Sequence, residues 1–302
     1  MLISDLTELA ACPEVAVIIN VDTKYVSTLA LLSTLRYARM PVVMIDCESR
    51  DGSFAWFERL MADQEFYLMS ARLRQHGETL DWVFNRIRAD RVLLVDSDAE
   101  MLNDQILTEM RAKLESSSQL YGAGYLHPAH WLERHYFSNL PISPGIGYYM
   151  ERMWIPFTLL RVEAVLKALN HGRSFMHRLV LNDFPQVPLV SKLLWRRFRF
   201  EAFRRHRLSW LDAFRKSYDG LKPCYISYDT GADLHEFLTK VLNFGFAGSI
   251  SAGEVPWSVT HFSGITRSIL SEKATDDAYR LSTAHPIVIE RLRNVYGVEI
   301  LD

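Results

Sequence analysis

The stretch VLLVDSDAEML, residues 92–102, begins with four apolar residues and runs directly into two aspartates separated by one serine. A short, continuous apolar run is typical of a strand that is buried on both faces inside a parallel sheet. Asp96 and Asp98 follow at the C-terminal end of this predicted strand. In extended backbone, side chains two residues apart point the same way, so we expect both carboxylates on one face and Ser97 directed elsewhere.

Strand-like and helix-like segments alternate before and after this stretch. Such a β-α-β-α order predicts a parallel sheet with right-handed crossover connections. Ligands of these sheets bind beyond the carboxyl ends of the strands. The predicted strands cover residues 15–20, 42–46, 65–69 and 92–96, and the predicted helices cover residues 25–38, the segment through Trp56, Phe57 and Leu60, and residues 80–88.

Four aspartates are predicted at the carboxyl edge of this sheet. Asp22 follows the first strand, Asp46 ends the second, and Asp96 and Asp98 close the fourth. Carboxylates that share a face repel each other unless a cation lies between them, and hard oxygen ligands favour Mg²⁺ or Mn²⁺. An isolated Asp-x-Asp can also be a polar turn or a helix cap.

The composition limits the classes of function. With a formal net charge of −2 over 302 residues, the chain has no overall charge that would attract nucleic acid. Its cysteines, Cys12, Cys47 and Cys224, lack the spacing of a disulfide framework or a thiolate zinc site, which fits a reducing compartment. No uninterrupted apolar stretch approaches the roughly 18 residues of a membrane-spanning helix. We therefore expect a cytoplasmic protein that meets a membrane at its surface if at all.

Three ordered segments resemble the nucleotide-sugar domain of GT-A glycosyltransferases, in particular the family-two-like group. VAVIIN (residues 15–20) resembles the opening strand, MIDCESRDGSFAWFERL (residues 44–60) the second strand with its D-x-x-S-x-D-G-S loop, and residues 76–102 the block that ends in D-x-D. The resemblance implies an α/β fold of GT-A type, Rossmann-like, with a mostly parallel central sheet flanked by helices and a helix-rich C-terminal acceptor region. A single domain is expected, with residues 1–115 as the nucleotide-sugar-binding half and residues 116–302 as the acceptor-binding half.

The same resemblance implies roles for the aspartates. Asp46 and Asp22 are expected to hold the base or ribose of a nucleotide-sugar donor. Asp98, together with Asp96, is expected to bind Mn²⁺ or Mg²⁺ at the donor diphosphate. The sequence departs from many relatives at residues 21–23, around Asp22. The expected acceptor is a hydroxyl of a glycan, a glycolipid or a protein.

A candidate general base lies in YDTGADL, residues 228–234. This stretch resembles the E-D-x-x-x-L element of inverting enzymes, which implies Asp229 as the base, with Asp233 as the alternative. A carboxylate suits this role because it can take a proton from the acceptor hydroxyl within hydrogen-bond reach. Asp229, Thr230 and Gly231 could equally be a turn that leads into a helix over residues 234–242.

His261 lies in THFSGITR, residues 260–267, after a strand-like segment. It resembles the C-terminal metal-binding histidine of many GT-A enzymes, which implies a third metal ligand, with Arg267 near the diphosphate. The pattern H-x-x-G-x-x-R also resembles an element of a retaining branch, in which Asp229 would not be a base.

Residues 192–216 interleave arginines with aromatic residues and contain few acids. A basic, aromatic, amphipathic helix is typical of a surface that binds anionic lipid. The segment could instead bind the acceptor, or cover its own aromatic stripe with arginine stems. A nucleic-acid partner is not expected, because a basic patch without a recognition fold is weak support for one.

Some expectations concern structure rather than chemistry. His76, Glu78 and Asp81 are interpreted as structural, and YGAGY, residues 121–125, as a tight turn. The rival functions are a D-x-D phosphohydrolase and a non-catalytic nucleotide-binding or scaffold protein. The sequence indicates no particular oligomeric state.

Overall fold

The computed structural model describes residues 1–132, 146–182, 224–248, 258–262 and 276–299. Within these residues, helices cover a large central sheet and two smaller sheets are present. The strands in chain order are β1 (Cys12–Asn20), β2 (Val42–Asp46), β3 (Tyr67–Ser70), β4 (Ala89–Asp96), β5 (Ala99–Met101), β6 (Leu120–His127), β7 (His130–Leu132), β8 (Ile146–Tyr149), β9 (Arg152–Arg161), β10 (Arg178–Asn182), β11 (Cys224–Tyr228), β12 (Gly245–Gly248) and β13 (Val259–His261).

The helices alternate with the strands through the N-terminal part of the chain, as predicted. Arg39 ends the first helix in the left-handed conformation, two residues before Pro41. The helices of the described residues are α1 (Lys24–Ala38), α2 (Ser53–Leu60), α3 (His76–Phe84), α4 (Gln105–Ser116), α5 (Val162–Asn170), α6 (Ala232–Lys240) and α7 (Asp276–Tyr296).

The central sheet confirms the predicted α/β fold class. In the part of the chain that is described, its seven strands lie in the order β12-β6-β9-β4-β1-β2-β3. The pairs β1–β2, β1–β4, β2–β3 and β6–β12 are parallel, and β9 runs antiparallel to both β4 and β6. The sheet is therefore mostly parallel and is flanked by helices.

The apolar run of β4 lies in the middle of this sheet. Val92 and Leu94 belong to one hydrophobic cluster, and Leu93 and Val95 belong to another. Alternate side chains of a strand point to opposite faces, so the two clusters cover the two faces of the sheet. A strand buried on both faces must be apolar at every position, which explains the continuous run.

The parallel strands end in register at the carboxyl edge. Asn20 pairs with Asp46, and Asp46 pairs with Ser70. On the other side of β1, Ile19 pairs with Asp96. The polar residues at these strand ends therefore lie side by side.

The predicted tight turn at YGAGY is wrong, because these residues lie inside β6. A Cβ atom on Gly122 would lie 2.6 Å from Cδ2 of Leu160 on β9 and 2.9 Å from Cε2 of Phe246 on β12. The glycine therefore allows close packing against residues of the neighbouring strands.

The third helix also begins earlier than predicted. It spans His76–Phe84, and β4 begins at Ala89, so the predicted helical end at residue 88 is wrong. A Cβ atom on Gly77 would lie 2.5 Å from the Cα atom of Met176. Gly77 therefore allows this helix to approach the backbone of residue 176.

Candidate metal and nucleotide-sugar site

The two aspartates of the D-x-D motif are separated by a turn. Asp96 is the last residue of β4, and Ser97 and Asp98 turn the chain into β5. Ser97 and Asp98 are each only 6% exposed, whereas Asp96 is half-buried. The expectation of extended backbone through residues 97 and 98 is wrong, since the chain turns there, but the two carboxylates do converge as expected.

Strand β13 brings His261 to this turn. It pairs antiparallel with β5, so that His261 lies opposite Ala99. The backbone amide of Phe262 donates a hydrogen bond to the carbonyl oxygen of Asp98 over 2.8 Å. Nε2 of His261 lies 3.0 Å from Oδ1 of Asp98. One ligand-capable atom from each of Asp96, Asp98 and His261 lies within 4.8 Å of the others.

The charges of this cluster act on one another. Burial raises the pKa of Asp96, and the nearby charge of Asp98 raises it further, while His76 and His261 act in the opposite direction. For His261, burial alone would lower the pKa, but the hydrogen bond and charge of Asp98, with the charge of Asp96, raise it overall. The cluster therefore favours bound positive charge, whether a proton on the imidazole or a cation.

His76, interpreted from the sequence as structural, is a neighbour of this cluster. Its Nε2 atom lies 3.7 Å from Oδ1 of Asp96, and its side chain is 41% exposed. His76 is the first residue of α3. A polar residue at a helix start, in a fold whose ligands bind where strands end and helices begin, was the available signal. Asp81 is structural as expected, since it accepts hydrogen bonds from the Ser174 hydroxyl and the Phe175 amide.

The cluster fits a hard divalent cation. Two carboxylates and one imidazole offer oxygen and nitrogen ligands of the kind that Mn²⁺ and Mg²⁺ accept. Because only three side chains converge here among the described residues, coordination positions would remain for water or substrate oxygens. A cation would also compensate the repulsion between Asp96 and Asp98.

A second polar cluster lies beside this one, where β1 and β2 end. Nδ2 of Asn20 donates to Oδ1 of Asp46 over 2.6 Å and to the hydroxyl of Ser49 over 2.9 Å. Ser49 also donates its amide to Oδ2 of Asp46 over 3.2 Å, and its hydroxyl accepts from the amide of Asp22 over 2.9 Å. Asp22 adopts a left-handed backbone with φ of 50° and accepts from the amide of Arg50. These contacts join the loops that follow the two strands.

Asp46 is only 2% exposed, and each of its carboxylate oxygens accepts a hydrogen bond that helps to hold these loops together. Asp22 is less buried and lies nearer the surface. Asn20 was missed by the sequence interpretation, although a polar amide at the end of an apolar strand run is a visible signal. The loop after β1 lies near the Asp96–Asp98 turn, because β1 pairs with β4 up to Asp96.

The two candidate bases have different surroundings. Oδ2 of Asp229 lies 3.0 Å from Nη2 of Arg152, its Oδ1 accepts from the amide of Thr230 over 2.8 Å, and its side chain is 34% exposed. Asp233, in the first turn of α6, is 8% exposed, and its Oδ1 lies 3.4 Å from Arg173 and 2.8 Å from Arg178. Asp233 is therefore enclosed by arginines, while Asp229 remains accessible.

A series of rings connects the metal cluster with the surroundings of Asp229. The ring of Trp154 lies 5.4 Å from that of His261, Tyr125 lies 6.1 Å from Trp154, and His127 lies 4.9 Å from Tyr125. The charges of Asp229 and His261 both affect the pKa of His127, so both residues lie near it. Asp229 therefore lies on the same side of the molecule as the metal cluster.

Burial and the neighbouring Arg152 lower the pKa of His127 to about 4, with further contributions from His130 and His261 and an opposing one from Asp229. His127 is therefore neutral near pH 7. A neutral imidazole and an aromatic series form a surface that can contact an uncharged hydroxylated ligand.

Arg267 and the segment 192–216 lie outside the described residues. None of the helices that are described is both long enough and apolar enough to cross a membrane.

No protein-family model and no curated protein matches the sequence. Several solved structures are similar to the chain. A mannosyltransferase, PcManGT from Pyrobaculum calidifontis in complex with GDP-Man and Mn²⁺, is 11% identical over 99% of this chain and 79% of its own, with a TM-score of 0.44. S. aureus TarS 1-349 in complex with UDP-GlcNAc is 15% identical over 52% of this chain and 47% of its own, with a TM-score of 0.36.

A mycobacterial protein is 12% identical over 51% of this chain and 54% of its own, with a TM-score of 0.34. The chain thus spans about half the length of the TarS and mycobacterial structures. The similar structures include a glycosyltransferase, the class that the sequence resembles.

Proposed function

We propose that this chain is a metal-dependent glycosyltransferase that moves a sugar from a nucleotide-sugar donor to an acceptor hydroxyl. The observation that carries the proposal is the convergence of Asp96, Asp98 and His261 at the carboxyl edge of a mostly parallel sheet. Two carboxylates and an imidazole beside an open edge suit a cation that also binds diphosphate oxygens.

The donor side of the site consists of the loops after β1 and β2. Asp46 and Asn20 hold these loops together, and Asp22 lies closer to solvent. We assign Asp22 and Asp46 to nucleotide binding, Asp46 chiefly by ordering the loop. Arg267 is proposed near the diphosphate on the sequence resemblance alone.

Asp96, Asp98 and His261 would hold Mn²⁺ or Mg²⁺. The bound cation would supply positive charge to the diphosphate leaving group, whose negative charge grows in the transition state. His76, beside Asp96, adds a hydrogen-bond donor at the rim of the cluster.

For an inverting reaction, we assign the role of general base to Asp229. The acceptor oxygen forms a bond to the anomeric carbon while the bond from that carbon to the diphosphate oxygen breaks. The hydroxyl proton passes to Asp229, and the nucleoside diphosphate leaves with the electron pair. Asp229 suits this role better than Asp233, because Asp233 is enclosed by two arginines.

The acceptor is proposed to be a hydroxyl of a glycan, a glycolipid or a protein. The ring series through Trp154, Tyr125 and His127 supports a sugar-like acceptor, because aromatic faces and neutral polar groups suit hydroxylated rings. A peripheral contact of residues 192–216 with anionic lipid remains a proposal from the sequence.

Calorimetric titration tests the proposal. UDP, GDP and dTDP are titrated into the native protein with and without Mn²⁺, and into Asp98→Ala and Asp90→Ala. Asp90 is the matched control, because it is exposed and lies near the N-terminal end of the same strand, away from the carboxyl edge.

Mn²⁺-dependent binding of one nucleotide that is lost in Asp98→Ala and kept in Asp90→Ala is the expected result, and it would identify the donor nucleotide. Absence of nucleotide binding with Mn²⁺ would contradict the proposal and favour a scaffold. Hydrolysis of a phosphate monoester that depends on Asp96 would instead favour a D-x-D phosphohydrolase.

A further inference from the structure

The strand after the D-x-D turn carries a buried carboxylate that is not part of the metal cluster. Glu100, in the middle of β5, is 1% exposed. Nε of Arg291 donates to its Oε2 over 2.6 Å, and Nη2 of Arg291 donates to its Oε1 over 2.6 Å. The hydroxyl of Tyr296 donates to Oε1 over 3.1 Å. A buried carboxylate is thus held by three hydrogen bonds from the C-terminal helix α7.

The helix that provides these donors is itself fixed to α1. Val288 and Leu292 of α7 belong to the same buried cluster as Val26, Leu29 and Leu32 of α1. The two helices therefore form a rigid frame around Glu100.

Contacts at the end of α7 add to this frame. Nη2 of Arg36 donates to the carbonyl oxygen of Val295 over 3.3 Å, and its guanidinium lies 4.9 Å from the ring centroid of Tyr296. On the other side, the amide of Met101 donates to the hydroxyl of Ser33 on α1 over 3.1 Å. Strand β5 is thus attached to α1 directly and through α7.

Glu100 is connected through the backbone to both sides of the candidate metal cluster. It follows Asp98 by two residues, and it pairs with Thr260, the neighbour of His261, across the β5–β13 pair. Glu100 is therefore coupled to Asp98 through its own strand and to His261 through the paired strand, and a shift of Glu100 would disturb the pairing that sets the distance between them.

We propose that Glu100, held by Arg291 and Tyr296, is a positioning residue that fixes the separation of Asp98 and His261 before a divalent cation binds. The proposal rests on the proposed function, because it assumes that these residues bind a cation. It makes the C-terminal helix a determinant of cation affinity although that helix contributes no ligand.

The chemistry of the contact supports positioning. A guanidinium that donates two parallel bonds to one carboxylate fixes both the distance and the plane of that carboxylate. A lysine has a single point charge and cannot reproduce this geometry. Changes in groups that orient metal ligands typically weaken metal binding by about 10- to 100-fold.

The test uses the full chain and four variants. Arg291→Lys keeps the charge but removes the paired geometry, and Tyr296→Phe removes one hydrogen bond. Glu100→Gln/Arg291→Gln removes both charges together, so that no buried charge is left without a partner. Arg293→Gln is the matched control, because Arg293 is exposed on the same helix.

Three quantities are measured for each protein: the Mn²⁺ dissociation constant by calorimetry without nucleotide, the thermal midpoint without metal, and hydrogen exchange of residues 97–101 and 258–262 without metal. We expect Mn²⁺ affinity to fall about 10- to 100-fold in Arg291→Lys and in the double variant, and about threefold in Tyr296→Phe. Exchange in both segments should be faster, and Arg293→Gln should match the native protein.

A purely structural contact predicts a different pattern. The double variant, which leaves no unpaired charge, would then recover Mn²⁺ affinity in parallel with its thermal midpoint, and this result would overturn the proposal. Unchanged exchange in both segments in all three site variants would also overturn it. If the native protein binds no Mn²⁺, the proposed function fails as well, whereas native binding with unaltered variant affinities defeats the positioning proposal alone.

Discussion

The metal cluster and the surroundings of Asp229 are both acidic sites on one side of the molecule, but they balance charge differently. Asp98 has a titratable partner in His261, at 3.0 Å, and a second carboxylate nearby. Asp229 has a permanent cationic partner, Arg152, also at 3.0 Å. The metal cluster therefore favours the binding of a further cation, whereas the charge of Asp229 is already balanced by Arg152.

This difference shows how two similar carboxylates can suit different chemistry. Carboxylates beside a histidine can exchange a proton for a metal ion, because the imidazole is a ligand when neutral. A carboxylate paired with arginine keeps its position and its charge, and its remaining lone pairs can accept a proton from a substrate hydroxyl.

The largest expected effect is on turnover. Asp229→Asn should lower the rate of sugar transfer by about 10²- to 10⁴-fold, because it removes the proton acceptor. Mn²⁺-dependent nucleotide binding should persist in this variant, in contrast to Asp98→Ala. Transfer rates and the anomeric configuration of the product are the measurements. Undiminished turnover, or retention of configuration, would show that Asp229 is not the base.

Asp233→Asn should act on stability instead. It would leave Arg173 and Arg178 beside a neutral amide, and because both arginines are partly exposed the loss should be about 2 kcal/mol. Urea unfolding of Asp233→Asn and Asp229→Asn measures this loss. Asp229→Asn should lose less than about 1 kcal/mol, because Asp229 is more exposed. Equal losses would contradict the distinction between the two residues.

The two histidines of the metal cluster should differ in importance. His261→Ala removes a proposed ligand and should weaken Mn²⁺ binding by at least about 100-fold, more than the loss of a group that only orients a ligand. His76→Ala should change it by less than about fivefold, since an exposed ion pair is worth about 1 kcal/mol or less. Calorimetry with Mn²⁺ compares them. A larger effect of His76→Ala would make His76 the ligand in place of His261.

The smallest effect concerns pH and the ring series between the two sites. The pKa of His127 falls to about 4 in the folded chain through burial and Arg152, below the ordinary value of 6.5. As the pH falls from about 6.5 to 4, the unfolded chain binds a proton that the folded chain does not, so stability decreases. His127 should account for about 1–2 kcal/mol of that loss, allowing for its partial exposure.

His127→Gln should remove this part of the pH dependence. Urea unfolding at pH 7 and pH 4.5 measures it, with His171→Gln as the control at an exposed histidine. If the two variants lose stability equally between these pH values, His127 is not the responsible group.

Much of the fold was predictable because burial leaves a local pattern. The bounds of β2 agree with the prediction, and those of α1 differ by one residue, since Pro41 and the continuous apolar runs mark them. Strand β6 was not predictable, because its glycines are explained by neighbours on β9 and β12 rather than by the local sequence. The early start of α3 at His76 was missed for a similar reason.

The residues of the candidate site were easier to predict from the sequence than the contacts between them. Asp96, Asp98 and His261 were named from the sequence, and the structure brings them together. The turn between the aspartates was one of two alternatives that the sequence left open, whereas the contact of His76 and the role of Asn20 in the loops were not foreseen. Each depends on a distance between residues that no spacing in the sequence encodes.

The sequence by itself determined the order of strands and helices, and with it the carboxyl edge at which Asp46 and Asp96 end their strands. Alternating runs of apolar and polar residues encode which faces are buried, and that information is local. Only the tertiary structure decided which charges meet. It brings His261 to Asp98 through β13, encloses Asp233 between arginines, and places Arg291 of the last helix on Glu100. Ion pairing depends on distances of a few ångströms between segments far apart in the chain, and packing sets those distances.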